Sequence, residues 1–134
     1  MKKIYLDSTL FLNSILYRDE KAKECNKILS RLYNGEFFGV TSFLTWDEVV
    51  HITNKNLGKS VGLKKGEEFL IFPNLIFVDV NKIVISKAQI LMNEYNLNPR
   101  DAIHAATALL NNCNEIISDD ADFDKIKELK RVKI

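Results

Sequence analysis

Carboxylates follow two of the apolar runs in this sequence, at positions where a catalytic or metal-binding site could form. Asp7 comes directly after the run at residues 4–6, and Asp120 and Asp122 come just after the run at residues 115–118. Both runs are short and rich in β-branched residues, as strands are. Because ligands of parallel sheets bind outside the carboxyl ends of the strands, we expect these acids to meet at one sheet edge.

Two further acids fall in predicted helices. Asp101 is at about the third position of a helix that Asn98 caps and Pro99 begins, and Glu48 lies in the helix after the second strand. Each acid taken alone has a simpler explanation. Asp7 could cap a helix, Asp101 could compensate a helix dipole, and Glu48 could be a solvated helical residue. The later aspartates could form an acidic turn that caps a short helix.

The number of these acids favours a shared metal site. Four or five carboxylates at one sheet edge repel each other by roughly 1 to 4 kcal/mol per close pair, depending on the effective dielectric. A fold retains such a cluster when cations neutralise it or when some of the acids are protonated. Oxygen ligands without histidine or thiolate favour Mg²⁺ or Mn²⁺, and such ions bind phosphate and activate water for phosphoryl transfer.

Other catalytic chemistries lack their motifs. The sequence has no Walker A loop, no GxGxxG after the first strand and no GxSxG elbow. The segment from Asp7 begins like a haloacid-dehalogenase motif, but the second aspartate two residues later is missing. Only His51 and His104 could act as a histidine base. His104 lies one turn after Asp101 and could approach the site, but we expect it to pack in its alanine-rich helix and to hydrogen-bond locally.

Composition describes an ordinary globular chain. With 134 residues, of which 46% are hydrophobic and 28% charged, we predict a single domain over residues 1–134. A net charge of +1 identifies no partner. Cys25 and Cys113 form neither a disulfide framework nor a zinc cluster, which favours a reducing compartment. No apolar run approaches the roughly 20 residues of a membrane span, and no signal peptide precedes the first strand, so we expect a soluble cytoplasmic protein without a membrane partner.

Strands and helices alternate along the chain and must position the acids. Helices are predicted between strands at residues 4–6, 37–40, 75–80, 115–118 and 131–134. Residues 55–66 hold four lysines, three glycines and no acid, which predicts a loop or a frayed helix start. Phe37, Phe38 and Trp46 could belong to the core or to a partner surface, and we expect the core. The strand–helix–strand order predicts an α/β protein with a parallel sheet covered by helices on both faces.

Four segments resemble the motifs of the PIN domain family. They are YLDS at 5–8, TSFLTWDEV at 41–49, NPRDAIHAATA at 98–108 and ISDDADFD at 117–124. The resemblance spans nearly the whole chain in the right order and spacing, and the third and fourth motifs are the specific ones. It implies a helix–sheet–helix sandwich around a five-stranded parallel sheet, and a ribonuclease that depends on Mg²⁺ or Mn²⁺.

The resemblance also implies roles for individual residues. Matched by position, the catalytic acids correspond to Asp7, Glu48, Asp101 and Asp120. The metal ligands correspond to Asp7, Asp101, Asp120 and Asp122. Ser118 matches a hydroxyl that supports the site, and Thr9 stands where many members carry asparagine. Asp119 matches a variable position, so no role is assigned to it.

Short stand-alone PIN proteins are similar to the toxins of VapBC-type toxin–antitoxin pairs. Those toxins cut RNA with metal-activated water and leave a 5′-phosphate and a 3′-hydroxyl. A small antitoxin inserts a segment across their acidic groove. The resemblance therefore implies an RNA substrate, a small antitoxin partner and, by family habit, a homodimer. Two alternatives stay open: an RNA-processing nuclease without an antitoxin, and a non-catalytic module that binds RNA or a protein.

Basic residues near the predicted site are candidates for phosphate contacts. Arg100 directly precedes one of the acids, and Lys55 and Lys59 lie in the lysine-rich segment. For each of these side chains, a solvated surface charge is the simpler explanation. They are therefore the weakest of the predicted site residues.

Overall fold

A computed structural model describes residues 1–134 and shows one parallel five-stranded sheet. The strands are β1 (Lys3–Leu6), β2 (Phe38–Ser42), β3 (Leu75–Val78), β4 (Glu115–Ile117) and β5 (Lys130–Val132). The helices are α1 (Ser8–Leu16), α2 (Glu20–Tyr33), α3 (Phe43–Leu57), α4 (Lys59–Leu70), α5 (Lys82–Tyr95) and α6 (Pro99–Leu110). A short 3₁₀ helix, Ala121–Lys125, lies between β4 and β5. The strand order is β3-β2-β1-β4-β5, and every neighbouring pair is parallel.

Two hydrophobic clusters cover the two faces of the sheet. Tyr5 belongs to one cluster and Leu6 to the other, as do Ile116 and Ile117 on the neighbouring strand. Because successive strand residues point to opposite faces, the two clusters lie on opposite sides of the sheet. The first contains residues of α5 and α6, and the second contains residues of α1 to α4. This helix–sheet–helix sandwich confirms the predicted fold class.

Side-chain caps explain where most helices begin. Four residues accept a hydrogen bond from a backbone N–H in the first turn of the following helix: Asp7, Asp19, Ser42 and Asn81. Pro99 begins α6 as predicted, but the Asn98 side chain makes no capping hydrogen bond. The amino end of α6 therefore has free backbone N–H groups near the predicted site.

Residues 55–66 are helical except at Gly58, so of the two predicted alternatives the loop is wrong, and a helix does start within this segment, at Lys59. α3 continues to Leu57, only Gly58 interrupts the helix with φ +93°, and α4 begins at Lys59. The other two glycines of this segment allow the two helices to pack closely. A Cβ on Gly66 would lie 2.9 Å from Val50 Cγ2, and one on Gly62 would overlap the Asn54 side chain. The glycines thus allow α4 to lie close against α3.

Smaller differences concern burial and strand ends. Phe37 is buried as expected, but Trp46 is 38% exposed because it lies at the surface where α4 crosses α3. The second strand runs to Ser42, beyond the predicted residue 40, and the third ends at Val78 rather than at residue 80.

Both cysteines are free and buried, as predicted. None of the six helices combines the length and the apolar character needed to cross a bilayer.

Candidate metal centre and active site

The predicted acids lie at the carboxyl edge of the sheet, where the strand order reverses. From β1 the chain first builds the sheet outward through β2 and β3, and it later returns to place β4 on the other side of β1. Asp7 follows β1, and Asp120 follows β4 after two residues. Since β1 and β4 are hydrogen-bonded neighbours, their ends form the crevice in which parallel sheets bind ligands.

Asp7 is a buried carboxylate with both oxygens hydrogen-bonded. The residue is only 4% exposed. Oδ1 accepts hydrogen bonds from Thr9 N at 2.9 Å and Thr9 Oγ1 at 2.6 Å, and Oδ2 accepts one from Ser118 Oγ. Burial raises the pKa of Asp7, and the hydrogen bonds from Ser118 and Thr9 oppose that rise. Asp7 therefore caps α1 and also faces the end of β4.

Two hydroxyl groups connect the ends of β1 and β4. Ser118 Oγ donates to Asp7 and accepts from the backbone N–H of Asp120 at 3.0 Å. Thr9 Oγ1 donates to Asp7 and accepts from the backbone N–H of Asp119 at 3.0 Å. Each hydroxyl thus links the buried carboxylate to the loop after β4. The predicted supporting residues occupy positions from which they orient the acids on both strands.

Three of the predicted acids form one compact cluster. Carboxylate oxygens of Asp101, Asp120 and Asp122 all lie within 4.8 Å of one another. Asp120 caps the 3₁₀ helix by accepting from Asp122 N at 2.9 Å, and Asp101 comes from the first turn of α6. Two separate elements therefore converge on one point. All three residues are partly buried, with oxygen ligands of the kind that hard divalent cations prefer.

Asp101 shows the electrostatic consequence of this convergence. Its pKa is raised to about 6, first by partial burial and then by the negative charge of Asp120. His104 acts in the opposite direction and lowers it. No ion pair in the structure includes Asp101 or Asp120. The cluster thus carries negative charge that the protein's own lysines and arginines only partly neutralise.

Glu48 reaches the site from α3 and is bound to a histidine. Its Oε1 lies 2.6 Å from Nε2 of His104, and the other ring nitrogen of His104 lies 2.6 Å from the Tyr5 hydroxyl. The expectation that His104 hydrogen-bonds locally is wrong, because its partners are 56 and 99 residues away. Glu48 is not a solvated residue either. It borders an open depression together with Asn98, Pro99, Arg100 and Asp101.

The remaining acids near the site have basic partners. Lys21 Nζ lies 2.7 Å from Asp119 Oδ2, and Arg131 forms two hydrogen bonds of 3.0 Å with Asp124. Arg131 also donates to the carbonyl oxygen of Ser118 at 3.3 Å.

Asp7 and Glu48 lie outside the three-acid cluster, although Asp7 contributes to the raised pKa of Asp101.

The candidate phosphate-binding residues are exposed. Arg100 borders the depression beside the acid cluster, and Lys59 lies at the start of α4. Lys55 is seven residues after Glu48 on α3, which places it on the same helix face about 10 Å further along the axis. Arg100 therefore adjoins the acids directly, whereas the two lysines lie further away.

Tyr5, Lys21 and Arg131 were not identified as site residues from the sequence. Lys21 and Arg131 come from α2 and β5, and no local motif links either of them to the loop after β4. The sequence places Tyr5 in a strand, and strand alternation indicates that it lies on the face that α6 covers. All three contacts depend on the tertiary fold.

Together, the fold and the site define an α/β protein with an acid-lined crevice at the switch point of a parallel sheet. A family model described as PIN domain matches residues 4–129 of the chain. The chain belongs to the PIN domain family, as its motifs predicted. Ribonuclease VapC2 of Methanocaldococcus jannaschii is 25% identical to the chain over 147 residues, covering 98% of this chain and 94% of that protein.

Solved structures share this fold at lower sequence identity. A VapBC2 structure from Rickettsia felis, bound to a DNA fragment from its promoter, has a TM-score of 0.76 at 16% identity and covers 98% of each chain. VapC20 of Mycobacterium tuberculosis, described as a toxin that cleaves the sarcin–ricin loop, has a TM-score of 0.74 at 14% identity, covering 90% of this chain and 92% of that one. These similarities confirm the architecture of the sheet and helices.

Proposed function

We propose that this protein is a divalent-metal-dependent endoribonuclease and the toxin of a VapBC-type toxin–antitoxin pair. The observation that carries the proposal is the convergence of Asp101, Asp120 and Asp122 beside the buried Asp7 in a PIN fold. The relative named as a ribonuclease supports the nuclease part. The structural neighbours described as VapBC support the antitoxin part.

The chain's own residues fit a hard divalent cation. The donors are carboxylate oxygens, and the pKa of Asp101 is raised first by burial and then by the negative charge of Asp120. The only basic group paired within the cluster is Lys125, at 3.4 Å from Asp122. We therefore assign Mg²⁺ or Mn²⁺ as the cofactor. The proposed metal ligands are Asp7, Asp101, Asp120 and Asp122.

The proposed reaction is hydrolysis of an RNA phosphodiester bond. A bound Mg²⁺ or Mn²⁺ supplies charge neutralisation at the phosphate and activation of water, so no protein nucleophile is needed. Ser118 and Thr9 orient Asp7 and the loop that carries Asp120. Glu48 lies at the depression as a carboxylate that can accept a proton from the attacking water.

Arg100, Lys55 and Lys59 are the proposed contacts to the RNA backbone. Arg100 is the strongest of the three because it borders the same depression as Glu48 and Asp101. Lys55 and Lys59 would extend the positive surface along α3 and α4. Their contribution is electrostatic and therefore independent of RNA sequence.

The test is cleavage of labelled single-stranded RNA in Mn²⁺. Asp120→Asn removes one acid of the cluster, and Asp119→Asn is its matched control because that neighbouring acid is paired with Lys21 instead. We expect wild type and Asp119→Asn to cleave, and both Asp120→Asn and EDTA to abolish cleavage. Equal activity of Asp120→Asn and wild type would overturn the proposal. Absence of cleavage together with absence of Mn²⁺ binding would favour a non-catalytic binding module.

The antitoxin part needs a separate experiment. Expression of the chain should arrest growth of a host cell, and co-expression of the small protein encoded beside it should restore growth and block RNA cleavage by the purified protein. Cleavage that no neighbouring gene product blocks would favour an RNA-processing nuclease without an antitoxin. Light scattering of the purified chain tests the expected homodimer.

A further inference from the structure

The imidazole of His104 lies between polar groups from two other elements of the fold. Nε2 is 2.6 Å from Glu48 Oε1 on α3, and Nδ1 is 2.6 Å from the Tyr5 hydroxyl on β1. Tyr5 and His104 are 0% and 2% exposed, whereas the Glu48 side chain is 17% exposed. These three groups therefore form a hydrogen-bonded line from the core beneath β1 to the surface of the depression.

The chemistry of the three groups determines the direction of the contact with Glu48. An ionised carboxylate can only accept, so Nε2 of His104 carries the hydrogen. The Tyr5 hydroxyl donates to Nδ1 when the ring is neutral and accepts from Nδ1 when the ring is cationic. An N–H group of His104 therefore faces the Glu48 carboxylate.

Packing holds the imidazole in this orientation. The residues around it on α6 are small and fully buried, namely Ala102, Ala105, Ala106 and Ala108. Their small side chains let α6 lie close to the sheet, so that His104 reaches β1 and α3 at the same time. The Tyr5 ring packs edge-on against the imidazole with centroids 5.7 Å apart. The ring is thus fixed by contacts on several sides before it meets Glu48.

We propose that His104 is a positioning residue that holds the Glu48 carboxylate at the mouth of the site, with Tyr5 fixing the imidazole from behind. The inference rests on the proposed nuclease function, in which Glu48 is one of the catalytic acids. Only Oε1 of Glu48 is hydrogen-bonded, which leaves Oε2 for water or substrate. A glutamate side chain has several rotamers, and this hydrogen bond selects the one that faces the depression.

The kinetic test compares His104→Leu, His104→Gln and Tyr5→Phe with wild type under multiple-turnover conditions in Mn²⁺, over a range of RNA concentrations. Loss of a residue that orients a functional group at a metal site lowers activity by about 10- to 100-fold, so we expect a fall of that size in kcat for His104→Leu, with little change in KM. His104→Gln should recover part of the rate, because its amide can still donate to Glu48. Tyr5→Phe should lose less than His104→Leu.

A double-mutant cycle tests whether His104 acts through Glu48. In a Glu48→Gln background, His104→Leu should reduce the rate little further, because the carboxylate that it positions is already absent. Thr107→Val is the matched control: it removes a buried hydroxyl of the same helix that is hydrogen-bonded only to the Ile103 carbonyl, at 2.7 Å. Wild-type rates for His104→Leu, or equal losses in both backgrounds, would overturn the positioning role.

Nitrogen-15 NMR of the imidazole gives a readout that does not require activity. We expect Glu48→Gln and Tyr5→Phe to shift the two ring-nitrogen resonances of His104, and Thr107→Val to leave them in place. Unchanged resonances in Glu48→Gln would overturn the inference. A wild-type protein that cleaves no RNA would overturn the proposed function and the inference with it. Active wild type with fully active His104→Leu would overturn the inference alone.

Discussion

Ser118 donates its hydroxyl hydrogen to the carboxylate of Asp7, across a separation of 111 residues in the chain. The same oxygen accepts the backbone N–H of Asp120. One hydroxyl therefore sets the position of two acids that follow different strands. Because β1 and β4 are adjacent and in parallel register, this short contact forms once the sheet has formed.

Ser118→Ala should weaken both the fold and the site. It leaves Oδ2 of the buried Asp7 and the N–H of Asp120 without a partner, so we expect stability to fall by about 1–3 kcal/mol. Because Asp7 and Asp120 are no longer oriented together, Mn²⁺ affinity should fall by about 10- to 100-fold. Urea unfolding and Mn²⁺ titration measure the two effects. The control is Ser60→Ala, which changes an exposed serine on α4 and should alter neither stability nor Mn²⁺ affinity. A Ser118→Ala protein that binds Mn²⁺ as tightly as wild type would contradict the proposed role of Ser118.

Thr9→Val tests the second hydroxyl link with a side chain of nearly the same shape. The change removes the hydroxyl that donates to Asp7 and accepts from the backbone N–H of Asp119. The backbone N–H of residue 9 can still donate to Asp7, so the cap of α1 is kept. We expect a loss of about 1–2 kcal/mol and weaker metal binding, whereas Thr9→Ser should retain both hydrogen bonds. Thermal unfolding with and without Mn²⁺ provides the measurement. Equal behaviour of the valine and serine variants would show that the hydroxyl has no such role.

The sequence predicts the sheet and most of the acids because both signals are local. Strand ends are marked by a short apolar run followed by a polar residue, as at Asp7, and parallel strands bring their ends to one edge. The sequence does not predict that a continuous helix already begins at Lys59, because Gly62 and Gly66 have low helix propensity. Their role in the close contact with α3 exists only in the folded protein.

The contacts among the site residues depend on tertiary structure, so composition and spacing do not predict them. Asp119 and Asp120 are neighbours in sequence, yet one pairs with Lys21 and the other joins the acid cluster. The partners of His104 are equally distant along the chain. A helical pattern indicated that His104 is buried among alanines, but not that it reaches Glu48 on another helix.

Asp101→Asn should stabilise the metal-free protein at neutral pH. The pKa of Asp101 is raised from 3.8 to about 6, so ionising it in the folded protein costs folding free energy. This cost is absent below pH 3.8, the ordinary value, and fully present above about pH 6. We expect the variant to gain about 1–2 kcal/mol at pH 7, after allowance for solvent screening, and to lose that gain as the pH falls to about 4.

Unfolding in EDTA at several pH values between about 4 and 7 measures this effect. Asp79→Asn provides a control, because that acid is exposed and lies outside the cluster. Its effect on stability should be the same throughout the range. An Asp101→Asn protein whose stability relative to wild type does not vary with pH would contradict the raised pKa of Asp101 that burial and the charge of Asp120 produce.

Arg100→Ala, Lys55→Ala and Lys59→Ala should weaken RNA binding in a salt-dependent way. Each phosphate contact to a single strand contributes about 0.7 to the slope of log affinity against log salt, so a lost contact should reduce the slope by that amount. Fluorescence anisotropy in the Asp120→Asn background measures affinity without cleavage. Lys27→Ala, an exposed lysine on α2, is the control. Unchanged slopes would indicate that these side chains are solvated surface charges that do not contact the RNA.

Mn²⁺ should stabilise the wild-type protein by binding to the folded state alone. An ion at about one hundred times its dissociation constant adds about 2.7 kcal/mol, which corresponds to a rise of about 10 °C in Tm for a domain of this size. Asp120→Asn should lose most of this rise, because it removes one member of the acid cluster. Asp119→Asn should retain it, because Lys21 already neutralises that acid. Equal shifts in both variants would indicate diffuse binding, and no shift at millimolar Mn²⁺ would contradict the metal site.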